Sequence, residues 1–154
     1  MKELEAGIHL ILVPKTPHLL SKSIADTAIR TIEHTLAQRR ASYHACNVQP
    51  DHMHVLLSAG EIPGIEHVID SLVADLRYAI ASSQESMTGF TWDPGVHVTL
   101  LPPWHIQIMA SFVRDQDRYH RERTFEQELD EVFRPNGIVV EEEPDQEASV
   151  LCVN

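Results

Sequence analysis

Two strand-length segments, residues 42–48 and 52–58, are separated only by Gln49-Pro50-Asp51. Proline presets φ and aspartate bonds its own backbone, so this tripeptide signals a tight turn and predicts a hairpin. What flanks the hairpin limits the rest of the chain. Before it, Gly7-Ile8-His9-Leu10-Ile11-Leu12-Val13 is an apolar run of strand length that stops at Pro14. A helix opened by Ser21 or Ser23 is expected to run to about Arg40, with Ile24, Ala28, Ile32, Thr35 and Leu36 at helical spacing. After the hairpin, Pro63-Gly64 punctuates, and Ile65, Val68, Ile69, Leu72, Val73, Leu76 and Ile80 form one broad helical face. Residues 84–94 read as a loop, and 96–101 as a fourth strand ended by Pro102-Pro103. A third helix is expected over about 105–120, and Thr124 can cap a short fourth from Phe125 to Phe133. The turn Pro135-Asn136-Gly137 closes the packed region.

The order is strand, helix, strand, strand, helix, strand, helix. A hairpin inside two crossovers predicts an α+β, ferredoxin-like split β-α-β fold: an antiparallel four-stranded sheet with helices on one face. We expect one domain over residues 1–140 and an acidic tail over 141–154, with no repeat or linker.

Composition narrows the function classes. With 154 residues, 43% of them apolar, the chain suits one ordered domain with a proper core. No apolar run approaches the ~20 residues of a membrane span, and Met1 to Gly7 leads into no secretory segment. A cytoplasmic protein is expected, with Cys46 and Cys152 as reduced thiols. The formal charge is −11; without residues 141–154 it is still −6, from 12 basic and 18 acidic residues. That counts against tight non-specific nucleic-acid binding, which needs cations for phosphates. The local exception is Arg114, Arg118, Arg121 and Arg123, supplemented by Lys15 and Arg39-Arg40. These can contact phosphates, or they can form a solvated face paired with Asp115, Asp117, Glu122 and Glu126.

In Asp51-His52-Met53-His54-Val55, the histidines are two apart, so on a strand both project from the same face. Two such imidazoles can share a divalent metal. Equally, they can be strand histidines that only satisfy hydrogen bonds. Trp92 and Trp104 flank the fourth strand and are expected to pack rather than stack on bases. Tyr43 and Tyr78 are read as packing residues.

Pro50-Asp51-His52-Met53-His54 resembles the signature of the single-tyrosine HUH transposases, the IS-two-hundred-like family that includes the repeat-associated tyrosine transposases. Phe90-Thr91-Trp92-Asp93-Pro94-Gly95 resembles the family's aromatic-x-Trp-x-x-Gly segment. Phe112-Val113-Arg114-Asp115-Gln116 resembles its Tyr-hydrophobic-x-Asn-Gln. The charged, histidine-containing stretch from Asp117 to Glu128, ending in Thr124-Phe125-Glu126-Gln127-Glu128, and the closing Asn136-Gly137-Ile138 follow in family order. So does the opening strand with Lys15, and the resemblance spans about residues 7–140.

The resemblance implies binding of single-stranded or hairpin DNA and cutting of one strand by a tyrosine that becomes joined to the 5′ end. It implies Mg²⁺ or Mn²⁺ as Lewis acid, held by His52, His54 and Gln116. It also implies a homodimer in which residues 105–120 complete the partner's site. Phe112 and Gln116 are four apart and share a helical face, whereas Gln116 read alone is an ordinary surface residue.

The departure lies at the nucleophile. Phe112 stands where the family has tyrosine and has no hydroxyl to attack phosphorus. Tyr119 is the best candidate to replace it, or else an amphipathic-helix tyrosine, and on a continuous helix seven residues rise about 10.5 Å, against the 3–3.5 Å that attack requires. Three functions stay open: a DNA-binding transposase relative defective in cleavage, an active nicking enzyme using Tyr119 or a metal-activated water, and a non-catalytic dimeric interaction module.

Overall fold

The computed structural model of the chain describes residues 5–17, 19–60, 64–135, 138–141 and 149–152, the last two stretches by backbone alone. Pro63, the Asn136-Gly137 turn and most of the acidic tail lie outside the described residues. The strands are β1 (Ala6–Leu12), β2 (Ala41–Gln49), β3 (His52–Ala59), β4 (Gly95–Leu101), β5 (Ile138–Glu141) and β6 (Ser149–Cys152). The helices are α1 (Ala25–Ala37), α2 (Ile65–Ser83), α3 (Ile106–Arg114), α4 (Gln116–Tyr119) and α5 (Phe125–Glu128).

The sheet order is β2-β3-β1-β4-β5-β6, and every neighbouring pair is antiparallel. The first four strands are the expected ferredoxin-like set, with β3 inserted between β1 and β2. Two strands were not foreseen. β5 and β6 continue the sheet beyond β4, and β6 falls within the segment read as a tail.

The sheet is covered on both faces, which corrects the expectation of helices on one. Ile8, Leu10 and Leu12 of β1, Met53, Val55 and Leu57 of β3, and Val96 and Val98 of β4 face α1 and α2. The opposite face packs Leu56 and Ala45 under Ile106, Ala110 and Val113 of α3. Ile11 on that face meets Leu129 and Phe133 of a π-helical turn, Leu129–Phe133, that follows α5. This is why all eight residues of β3 are buried. Gly7 permits the close approach of α3, since a Cβ there would lie 2.7 Å from Ile106 Cγ1.

The helix expected over 105–120 is broken. Asp115, at φ −97° and ψ 20°, separates α3 from α4, and a 3₁₀ turn, Pro103–His105, precedes α3. Thr124 caps α5 in a full capping box with Gln127, as expected. That helix lasts one turn before the π segment begins. Tyr78 and Trp104 are exposed rather than packed, whereas Trp92 is buried edge-on against Phe90. Among the described residues no helix is long and apolar enough to cross a membrane.

Candidate metal centre

His52 and His54 project from β3 toward α3, α4 and α5, and both are fully buried. Burying two imidazoles is costly unless their nitrogens find partners. Gln116, at the start of α4 and three residues after the buried Val113, is fully buried and not the surface residue that its type suggests. Its Oε1 lies 3.1 Å from His52 Nε2 and 2.9 Å from His120 Nε2. The three residues expected as ligands are thus on one side of the sheet, within one chain. The exchange of this helix across a two-fold axis is not needed to bring Gln116 to His52.

Sequence reasoning missed the residue at the centre. Glu128, the last residue of α5, is fully buried, and its Oε1 lies 3.0 Å from His52 Nε2, 3.2 Å from His54 Nε2 and 3.3 Å from His120 Nε2. Gln116 Nε2 donates to its Oε2 at 2.6 Å. The ligand atoms of His52, His120 and Glu128 all lie within 4.8 Å of one another. The available signal was the spacing Thr124-Phe125-Glu126-Gln127-Glu128, since a capping-box helix of one turn presents its last residue at a set angle.

The outer nitrogens are tied as well. His52 Nδ1 donates to Asp51 Oδ1 at 2.7 Å, and His120 Nδ1 donates to the Arg123 carbonyl at 2.7 Å. A neutral ring with its proton on Nδ1 has a bare Nε2, so these two rings turn lone pairs toward the oxygens of Glu128 and Gln116. Lone pairs converging on carboxylate and amide oxygens need positive charge between them, whether protons or a divalent cation. The donor set therefore fits a cation. Burial pulls the His52 pKa down, but Asp51, Glu128 and Gln116 outweigh it and raise it to about 8. Burial pushes Glu128 upward, yet the hydrogen bonds from His120, His52 and His54 hold it far below the usual carboxylate range. Burial keeps His54 and His9 below the ordinary histidine value.

The ring of Phe125 stacks on His52 at 4.1 Å between centroids. Phe112 is edge-on to His54 at 6.0 Å, and Tyr119 is edge-on to Phe112 at 5.1 Å. The Tyr119 hydroxyl donates to Glu131 at 3.4 Å, and burial with Glu131 and Glu128 raises its pKa. α4 is held from below by Asp117, which accepts from Lys22 and from Gln49, each at 2.7 Å.

Of the expected phosphate contacts, Arg118, Arg121 and Arg123 are exposed along two open depressions of about 550 and 440 Å³ beside the cluster. Lys15 is exposed where β1 leaves the sheet, at the end that carries the Pro50-Asp51 turn. Arg114 does not join them, because its guanidinium donates to the His44 carbonyl of β2 at 3.2 Å.

The model of the family described as "Transposase IS200 like" matches residues 4–116. A candidate transposase from Deinococcus radiodurans R1 has a similar structure, with TM-score 0.57 and 21% identity over 75% of this chain and 98% of that one. A REP-associated tyrosine transposase bound to a REP hairpin is also similar, with TM-score 0.54 and 12% identity over 86% of this chain and 76% of that one. No curated protein matches the chain.

Proposed function

The chain belongs to the IS200-like transposase family, and from that premise we propose that it binds single-stranded hairpin DNA beside a metal site but does not form the covalent tyrosine link. The observation that carries this reading is the convergence of His52, His54, His120 and Gln116 on Glu128, with the ring of Phe112 alongside His54. Mg²⁺ or Mn²⁺ would be held by His52, His54 and Gln116, joined by Glu128 and His120, and when bound supplies Lewis-acid stabilisation of a scissile phosphate. Arg118, Arg121, Arg123 and Lys15 supply cations for the DNA backbone on the rim. Phe112 occupies the nucleophile's place without a hydroxyl, so binding survives and cleavage is lost. A similar structure contains a REP hairpin, which favours hairpin DNA as the ligand class. The exposed Trp104 and Ile108 lie on the stretch that the family resemblance assigns to a homodimer contact.

Tyr119 carries a second reading, because its ring adjoins Phe112. Its raised pKa opposes that role, since attack needs the phenolate. One assay separates the two readings. The protein is incubated with pooled single-stranded hairpins and Mn²⁺, and covalent protein–DNA adducts are sought on a denaturing gel. The expected result is no adduct from the unmodified chain and an adduct from Phe112→Tyr. An adduct from the unmodified chain that is lost in Tyr119→Phe makes Tyr119 the nucleophile instead.

A further inference from the structure

Three imidazoles turn Nε2 toward Glu128, and for two of them the partner of Nδ1 is already described: Asp51 for His52 and the Arg123 carbonyl for His120. The third, His54, faces His9. His9 Nε2 lies 2.6 Å from His54 Nδ1, and the rings stack at 4.9 Å with 7° between their planes. Both are buried, and they come from adjacent strands, β1 and β3. At this distance one nitrogen carries the hydrogen and the other the lone pair.

We infer that His9 is a positioning residue, whose Nε2 accepts a hydrogen bond from His54 Nδ1–H and thereby holds the proton there, leaving His54 Nε2 bare for a cation. This deepens the metal reading above and rests on it. Two arrangements follow. Without a cation, His54 Nε2–H donates to Glu128 and His9 Nε2–H donates to His54 Nδ1. With a cation between His54 and Glu128, the proton of each ring lies on Nδ1, and the hydrogen bond between the rings runs the other way. The pair holds two ring protons in both arrangements, so no net charge is gained or lost.

A second observation supplies the far end of this chain. Thr99 is the register partner of His9 on β4, and its hydroxyl is buried without a hydrogen-bond partner. Opposed residues of an antiparallel pair project to the same face with Cβ atoms about 4.5–5.5 Å apart. The Thr99 hydroxyl thus shares the His9 face of the sheet without bonding to it here, and a turn of either side chain would let it accept from His9 Nδ1, the ring nitrogen nearer the backbone. A buried hydroxyl with no partner in one arrangement has a use in the other.

The test uses the full chain carrying ¹⁵N-labelled histidine, with long-range ¹⁵N–¹H correlation to read which ring nitrogen bears each proton. Zn²⁺ is the probe, being diamagnetic and suited to imidazole. With chelator, His54 and His9 are expected to be protonated on Nε2; with Zn²⁺, both on Nδ1. If His52 and His120 respond to Zn²⁺ while His54 keeps its Nε2 proton, the inference is wrong and the metal reading stands. If no histidine of the cluster responds, the metal reading falls and the inference with it. Calorimetric Zn²⁺ titration of two variants gives a second measure. His9→Gln retains an acceptor opposite His54 and should keep its affinity. His9→Phe keeps the stack without the acceptor and should bind about 10–100-fold more weakly, the usual cost of losing a hydrogen-bond partner behind a ligand. An equal loss in both variants, or none in His9→Phe, overturns the inference.

Discussion

His52 and Glu128 show how burial and pairing compete at single residues. Both lie fully buried, and in both the partners override desolvation. The folded His52 pKa of about 8 lies above its ordinary 6.5. Its protonation is therefore coupled to folding, fully below the unfolded value and no longer once pH has risen through 8. His9 and His54 act the other way, since they stay neutral in the fold and lose stability when the unfolded chain takes up protons below pH 6.5. Glu128 stabilises above the ordinary carboxylate range, and that contribution fades only in strong acid. To isolate His52, urea unfolding of the metal-free protein is compared with His52→Gln. The advantage of the unmodified chain should shrink by roughly 1.5 kcal/mol from pH 6.5 to pH 8.5, the range over which the shifted proton is lost. A pH-independent difference contradicts the charged His52–Glu128 pair.

At the scale of elements, the site depends on how α3, α4 and α5 are seated. α3 can lie against β1 because position 7 is glycine. Gly7→Ala puts a Cβ 2.7 Å from Ile106 Cγ1 and 3.1 Å from Leu101 Cβ. Overpacking of this kind costs about 1–3 kcal/mol, which denaturant unfolding will register. Because α4 follows α3 after one residue, the same variant should also bind Zn²⁺ more weakly. Unchanged stability would mean that α3 has room to shift. Across the one-residue break at Asp115, Gln116 stays on the buried side, three residues after Val113, and the rings of Tyr119 and Phe112 meet edge-on.

For the molecule as a whole, a charge of −11 must coexist with any affinity for DNA. The exposed Arg118, Arg121 and Arg123 are local exceptions, and two of them are partly neutralised: Arg118 lies 3.9 Å from Asp115 and Arg123 3.7 Å from Glu131. Binding to a single-stranded hairpin is expected to be weak and to fall steeply with salt. For single strands, each cation that neutralises a phosphate steepens the fall of log K with log salt by about 0.7. Arg121→Ala should weaken binding uniformly across sequences and make the slope shallower by about that amount, as read by fluorescence anisotropy at several salt concentrations. Salt-independent association, or none, favours the interaction module.

The strand and helix order was legible because each element carries its own period, and the Gln49-Pro50-Asp51 turn sets the register in which His52 and His54 share a face. The His-x-His pair, Gln116 and Phe112 were legible for the same local reason, together with the resemblance to a known family. The covering of both sheet faces was not, because an apolar run such as β3 reads alike whether one or two layers of helix bury it. β5 and β6 depend on a free edge of β4, which exists only once the sheet has formed. Glu128 was hidden among the acids of a charged stretch, and His9 inside an apolar strand. Both became part of the site only when tertiary packing brought residues 9, 54 and 128 within hydrogen-bonding reach, where a buried imidazole has no water to turn to and must be satisfied by its neighbours.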